Sequence, residues 1–355
     1  MASFDVPSVR GLYVTLGDGW TYLNAHENPL VPERVSVGIA RAARSVTAPV
    51  RTEDGWVTRA DVLRDQARKA VADFAGVAPG QVVLGATVGE LYGALVRAMG
   101  PLMRHGGSMV LTRGDAHAGG DVRFAQFTDG ILDPAQYSKL VNGGTRLVAL
   151  PAAHPLFGSV QPVGEIVDAA RAKSRSWVLI DATAYAPYRR FDMDAWGADI
   201  VAMNLGAMGG PDLAALIFRN ERMFSRMRNL DVPPVSGILA GGVAPTLAHY
   251  TTLFDAGLET RMRELAGDLT TFIGSLPAVE VESVPREWEV GEALDRTPRI
   301  TFTIKGVPAE TIQQRLVDNG MMAGFNADGS ITVAAGPYTQ NHDIEHLTRV
   351  VASLA

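Results

Sequence analysis

Asp181 closes an apolar run, Trp177-Val178-Leu179-Ile180. A carboxylate at the end of a buried strand is costly unless something pairs with it. Asp181 is therefore the leading candidate for a functional carboxylate, and a hydrogen-bonded loop former is the plainer alternative. Three other apolar runs end in turns that could carry chemistry. Gly85-Ala86-Thr87-Val88-Gly89-Glu90 follows Leu84, Asp115-Ala116-His117-Ala118-Gly119-Gly120 lies after Leu111, and Ala153-His154-Pro155 lies after Leu150. A glycine-bearing turn that opens a helix aims backbone N–H groups outward and suits a phosphate, although an ordinary strand-to-helix turn looks the same. His26, His117 and His154 fall in loops. Converging with Asp181, they would supply acid–base groups near neutral pH; the simpler reading is three separate hydrogen-bonded loop histidines. They lack helical metal-ligand spacing, so no metal site is expected. No Gly-x-Ser-x-Gly elbow is present, and the absence of cysteine removes disulfides, thiolate nucleophiles and Cys-ligated metals.

The elements that must position these residues follow a βαβ rhythm from residue 57 to about 220. Leu63, Ala67, Ala70, Val71 and Phe74 recur at helical spacing, with Thr58 as N-cap and Gly76 as stop. The runs Val82–Leu84, Met109–Leu111, Leu147–Leu150, Trp177–Ile180 and Ile200–Met203 are nearly continuous in apolar character. That suits strands covered on both faces, as in a parallel sheet. Helices are predicted at 88–99 and 162–173. After the break marked by Pro233-Pro234 and Gly237, a long helical pattern covers 245–275. Ile300, Phe302 and Ile304 alternate with Thr301 and Thr303, which predicts a half-exposed strand. A helix near 309–319, a strand near 330–334 and a terminal helix near 342–354 complete a smaller α+β unit.

At 355 residues the chain has the length of about two domains. Acidic residues exceed basic ones 38 to 32, which argues against a nucleic-acid partner. No apolar run has the length of a membrane span, and the first residues carry no signal-peptide pattern. A soluble cytoplasmic protein without membrane contact is expected. Only four of the basic residues are lysines, at 69, 139, 173 and 305.

Asp181-Ala182-Thr183-Ala184-Tyr185-Ala186-Pro187-Tyr188, then Gly197-Ala198-Asp199-Ile200-Val201, then Gly209-Gly210-Pro211 resemble the fold-type-I pyridoxal-phosphate (PLP) enzymes. More narrowly they resemble the cysteine desulfurase-like branch of the class V aminotransferases. The likeness runs from Phe4-Asp5-Val6 to Gly336-Pro337-Tyr338-Thr339. It implies an α/β PLP-transferase fold, with a large domain built on a mostly parallel seven-stranded sheet and a small C-terminal α+β domain. The expected division is 1–30 as a segment packing with the small domain, 31–235 as the large domain and 236–355 as the small one. It also implies a homodimer, with a heterodimer with an active homologue as the alternative.

The chemistry departs from that pattern. The lysine that would hold PLP as a Schiff base falls on Ala207, and the ring-stacking histidine falls on Ala116, next to His117. The asparagine near the cofactor hydroxyl falls on Pro155, and the carboxylate-binding arginine on Thr332. The partner-subunit Thr-Gly-Thr segment reads Ser236-Gly237-Ile238. What the resemblance keeps is Asp181 as pyridinium partner, Thr87-Val88-Gly89 as a phosphate turn, and Asn204 in place of the phosphate-binding serine. Covalent PLP is therefore not expected, and any PLP would bind through these contacts alone. Three readings stay open. One is a lysine-independent protein that binds a small molecule or reuses a His/Asp-lined pocket for other chemistry. Another is a Lys-to-Ala variant of a PLP enzyme, and the third is a non-catalytic pseudoenzyme partner of an active homologue.

Overall fold

The five near-continuous apolar runs become strands of one sheet in the computed structural model, which describes residues 4–103, 106–112, 121–225, 230–282 and 295–354. Seven strands lie in the order Val82–Gly85, Ala214–Phe218, Ile200–Asn204, Trp177–Asp181, Thr145–Pro151, Ser108–Thr112 and Asp121–Ala125. All neighbours are parallel except Ala214–Phe218, which is antiparallel to both of its partners. The pleat sends successive side chains to opposite faces. Val110, Val148, Ile180 and Val201 join one hydrophobic cluster, whereas Met109, Leu147, Leu179 and Ile200 join another. Both faces are covered, which is why the strands read as unbroken apolar runs.

Local chemistry sets the helix ends. Thr58 caps the helix Arg59–Ala75 in a reciprocal box with Asp61, and Gly76 ends it with φ 70°. The helices expected at 88–99 and 162–173 appear as Val88–Ala98 and Val163–Arg171. The long pattern of 245–275 divides into Val243–Asp255 and Leu258–Gly274, with Gly257 at φ 98° between them. An L side chain rarely adopts that conformation, so the glycine is what permits the break.

A second sheet orders Val279–Val281, Arg299–Ile304, Ile331–Ala334 and Gly324–Phe325, all antiparallel. Ala309–Asp318 and Asn341–Ala352 are the helices expected there. The N-terminal segment pairs with this unit, Thr21 opposite Met321 and Asn24 bridging to Ala334. One expectation is corrected here. The strand Arg299–Ile304 is not half-exposed, because Arg299 and Thr301 are buried on its polar face. The Pro155 and Leu156 carbonyls accept hydrogen bonds from these two side chains, which offsets the cost of burying them. Among the described residues no helix is long and apolar enough to cross a membrane.

Candidate active site

Asp181 ends its strand at the carboxyl edge of the parallel sheet, where open α/β folds place ligands. A cavity of about 390 Å³ opens there. Its walls include His26 from the N-terminal segment, Asp181 and Thr183 from one strand end, Ala207 from the next, and Arg299 from the second sheet. The structure thus brings His26, Asp181 and Ala207 to one place.

Asp181 Oδ1 accepts a hydrogen bond from Thr183 N at 2.8 Å, so the carboxylate also shapes its own turn. The hydroxyl of Thr183 is buried without a partner. His26 packs its ring on Gly324, where a Cβ would stand 2.7 Å from Nε2, so this strand position requires glycine. His26 Nδ1 is buried and unpaired. Burial, and then the charge of Arg299, pull the His26 pKa down to about 4, so the ring is neutral at physiological pH.

His154 does not line the cavity. Its Nδ1 accepts from the amides of Leu156 and Phe157, at 3.2 and 3.1 Å. The ring stacks on Phe157 at 4.1 Å and meets Phe127 edge-on at 4.6 Å. Burial, then Arg299 and Arg296, lower its pKa to about 4. An imidazole whose Nδ1 accepts two amide bonds is a loop brace, and the expected convergence of histidines does not include it. His117 lies outside the described residues.

The phosphate turn is built as a helix N-cap, with its Ala86 and Glu90 amides engaged internally. Thr87 Oγ1 accepts from Glu90 N at 3.0 Å, and the Glu90 carboxylate accepts from Ala86 N at 2.9 Å. Asn204 folds back, its Oδ1 accepting from Gly206 N at 2.9 Å. Thr87, Val88, Gly89 and Asn204 are not on the cavity wall. Nor is any lysine. Lys69 pairs with Asp73 on an exposed helix face, Lys139 lies on the helix Pro134–Leu140, Lys173 follows Val163–Arg171, and Lys305 follows Arg299–Ile304.

Arg299, Tyr188 and Thr183 are cavity-wall residues that sequence reasoning did not single out. Arg299 Nη1 donates to Pro155 O, and its guanidinium lies 6.0 Å from the centre of the Tyr188 ring. The one available signal was the alternation of the strand, which sets Arg299 on the face of Thr301 and away from Ile300. Two cross-connections bring that strand to the cavity. Thr297 N donates to Gly158 O at 2.8 Å, and Val160 N donates to Asp295 O at 2.9 Å.

A mostly parallel α/β sheet with a ligand-sized cavity at its carboxyl edge, closed by an arginine from a second antiparallel unit, defines the class of molecule. Residues 30–232 match the Aminotransferase class-V family, and the chain belongs to it. The uncharacterized protein MT3887 of Mycobacterium tuberculosis is 28% identical over 99% of this chain and 100% of its own length. The aminotransferase-like protein FGM3 of Gibberella zeae is 22% identical over 84% of this chain and 83% of its own. Among solved structures, the apo cysteine desulfurase from Thermococcus onnurineus superposes with a TM-score of 0.83 at 19% identity, covering 100% of this chain and 99% of that one. The fold is the cysteine desulfurase-like one that the resemblance implied.

Proposed function

We propose that this chain binds a small polar molecule in the Asp181–Arg299 cavity without forming a Schiff base. The observation that carries the reading is the methyl group of Ala207 on the cavity wall, with all four lysines elsewhere. In class V enzymes PLP supplies an electron sink for carbanion chemistry when a lysine holds it. These residues do not fit PLP held in that way. Ala207 has no amine, the Glu90 carboxylate occupies the Ala86 amide, and the Asn204 carbonyl oxygen is turned to Gly206. An anionic carboxylate at the start of the helix Val88–Ala98 competes with a phosphate for the same positive helix end.

A Lys-to-Ala variant of a working PLP enzyme accounts for Ala207 but not for Pro155 or Thr332. We therefore favour a natural loss of the covalent site, with the cavity retained for a ligand or for other chemistry. The test is the absorption spectrum of the purified protein with added PLP, followed by borohydride reduction and peptide mapping. No aldimine band and no phosphopyridoxyl-lysine peptide are expected. A labelled lysine would overturn the reading.

We also propose that the chain pairs with a second copy of itself. A groove of about 790 Å³ runs between the helices Glu33–Ser45 and Val243–Asp255, and Leu12 and Val37 line it while 46% and 48% exposed. Covering such a surface favours association. Light scattering at micromolar concentration is expected to give twice the chain mass, and a monomer mass would refute the pairing.

A further inference from the structure

We propose that Arg299 anchors a ligand carboxylate in the cavity, so that the bound molecule is a small monocarboxylate. This rests on reading the cavity as a Schiff-base-free binding site and names the chemistry of its ligand.

Arg299 is only 5% exposed. Among the described residues no carboxylate stands within ion-pair distance of it. A buried cation without an anion is unfavourable by itself, and such groups are normally paired. The guanidinium is used on one side only. Nη1 donates to Pro155 O, while Nε is buried without a partner and Nη2 makes no hydrogen bond to a described residue. Nη2 is the donor left for a ligand, and its hydrogen bond to a carboxylate oxygen would be charge-assisted, as arginine–carboxylate bonds are.

The register of the second sheet shows why the cation comes from this strand. Thr301 stands opposite Thr332, and Arg299 opposite Ala334. Arg299 and Thr332 therefore share one face of the sheet. Thr332, where the sequence resemblance would put a carboxylate-binding arginine, is closed: its hydroxyl meets Thr301 Oγ1 at 2.8 Å and Asn326 Nδ2 at 2.9 Å. The positive charge has been supplied from the neighbouring strand instead.

Other unpaired groups gather at the same place. Thr183 Oγ1 and His26 Nδ1 are both buried on residues of the cavity wall without partners, and Asn24 Oδ1 is orphaned beside the His26 ring at Gly324. Native interiors leave few such atoms, so several of them on residues around one cavity mark this region as polar. With Asp181 on the same wall, an added second negative charge would be repelled. This favours a monocarboxylate over a phosphate or a dicarboxylate.

The test measures binding of pyruvate, its neutral amide pyruvamide, and inorganic phosphate by saturation-transfer NMR. The wild type, Arg299→Gln and Arg299→Lys are compared. Pyruvate is expected to bind the wild type, to weaken by about tenfold or more in Arg299→Gln, and to lie between in Arg299→Lys, which keeps the charge but loses the guanidinium. Pyruvamide and phosphate are expected to compete poorly. Because Arg299→Gln removes a buried side chain, the folded wild type supplies its own readout. One arginine Nε–H cross-peak, absent from Arg299→Lys, should move with pyruvate and stay still with pyruvamide. Absence of pyruvate binding, equal binding of pyruvamide, displacement by phosphate at lower concentration, or an unmoved cross-peak would each overturn the anchor. Borohydride labelling of a lysine would undo the Schiff-base-free reading while leaving such an Arg299 signal intact, so the two failures are distinguishable.

Discussion

Arg189 and Asp295 hold each other through two parallel hydrogen bonds, Nη1 to Oδ2 and Nη2 to Oδ1, both 2.6 Å long. Arg189 follows the Asp181 loop of the large sheet, and Asp295 opens the segment that leads into the Arg299 strand. A third bond from Nη2 reaches Arg296 O at 2.6 Å. The Arg189 side chain is 3% exposed while that of Asp295 is 59% exposed, so the arginine is the buried half of the pair. Arg189 thus positions the segment that delivers Arg299 without touching the cavity.

Replacing Arg189 by Met keeps most of the buried stem and removes the fork. The exposed Asp295 can be rehydrated, but the Arg296 carbonyl loses a donor. A loss of about 2–3 kcal/mol is expected, read as a lower urea midpoint. Ligand binding should weaken as well, because the 295–299 segment is no longer held. An unchanged midpoint would mean that this pair is a surface decoration of little energetic weight.

His26, His154 and His249 give a second expectation, in pH. Burial lowers each from 6.5 to about 4 in the folded chain, assisted by Arg299 for His26, by Arg299 and Arg296 for His154, and by Arg34 for His249. The unfolded chain therefore binds protons between pH 6.5 and about 4 that the folded chain does not. Stability should fall as pH drops through that window, and these groups should add no further slope below it. His249 Nε2 shares a 2.9 Å hydrogen bond with Tyr13 Oη, which a glutamine amide can reproduce. His249→Gln should flatten the slope of urea midpoint against pH, and an unaltered slope would remove His249 from this account.

His154 braces its loop by accepting from the amides two and three residues ahead. Asn and Asp side chains commonly do the same in Asx turns. His154→Ala leaves two amides without an acceptor and empties the space against Phe157, so a loss of about 2–4 kcal/mol is expected. His154→Asn should recover a large part of it. If Asn gave no recovery while binding of small ligands disappeared, His154 would belong to the chemistry rather than to the loop.

Much of the fold was legible because burial on both faces leaves a plain trace. Val82–Leu84, Met109–Leu111 and Trp177–Ile180 announce strands without any tertiary information. Asp121–Ala125 leaves no such trace, because it is an edge strand with exposed Asp121 and Phe124. Asp181 and Ala207 could be placed by the resemblance around them. Arg299 could not, since its burial depends on the Pro155 carbonyl and the Tyr188 ring, both far away in sequence. The same limit applies to His154, whose loop position says nothing about which of its nitrogens is engaged.

Ala207→Lys tests whether the amine is all that separates this cavity from a PLP enzyme. The side chain begins on the cavity wall, so a lysine there is able to enter. The surrounding groups do not follow. Pro155 offers no side-chain amide, and Thr332 is tied to Thr301 and Asn326. The amide at Ala86 is held by Glu90 and Asn204 by Gly206. Orientation of a reactant is worth up to about 7–11 kcal/mol of barrier, and one amine does not restore it. We therefore expect neither sulfide release from cysteine nor keto-acid formation from amino acids, by the present chain or by Ala207→Lys, with PLP supplied to both. Turnover by the present chain would contradict loss of the covalent site. Turnover by the lysine variant alone would mean that the other substitutions are tolerated, and that the missing amine by itself silences a working PLP enzyme.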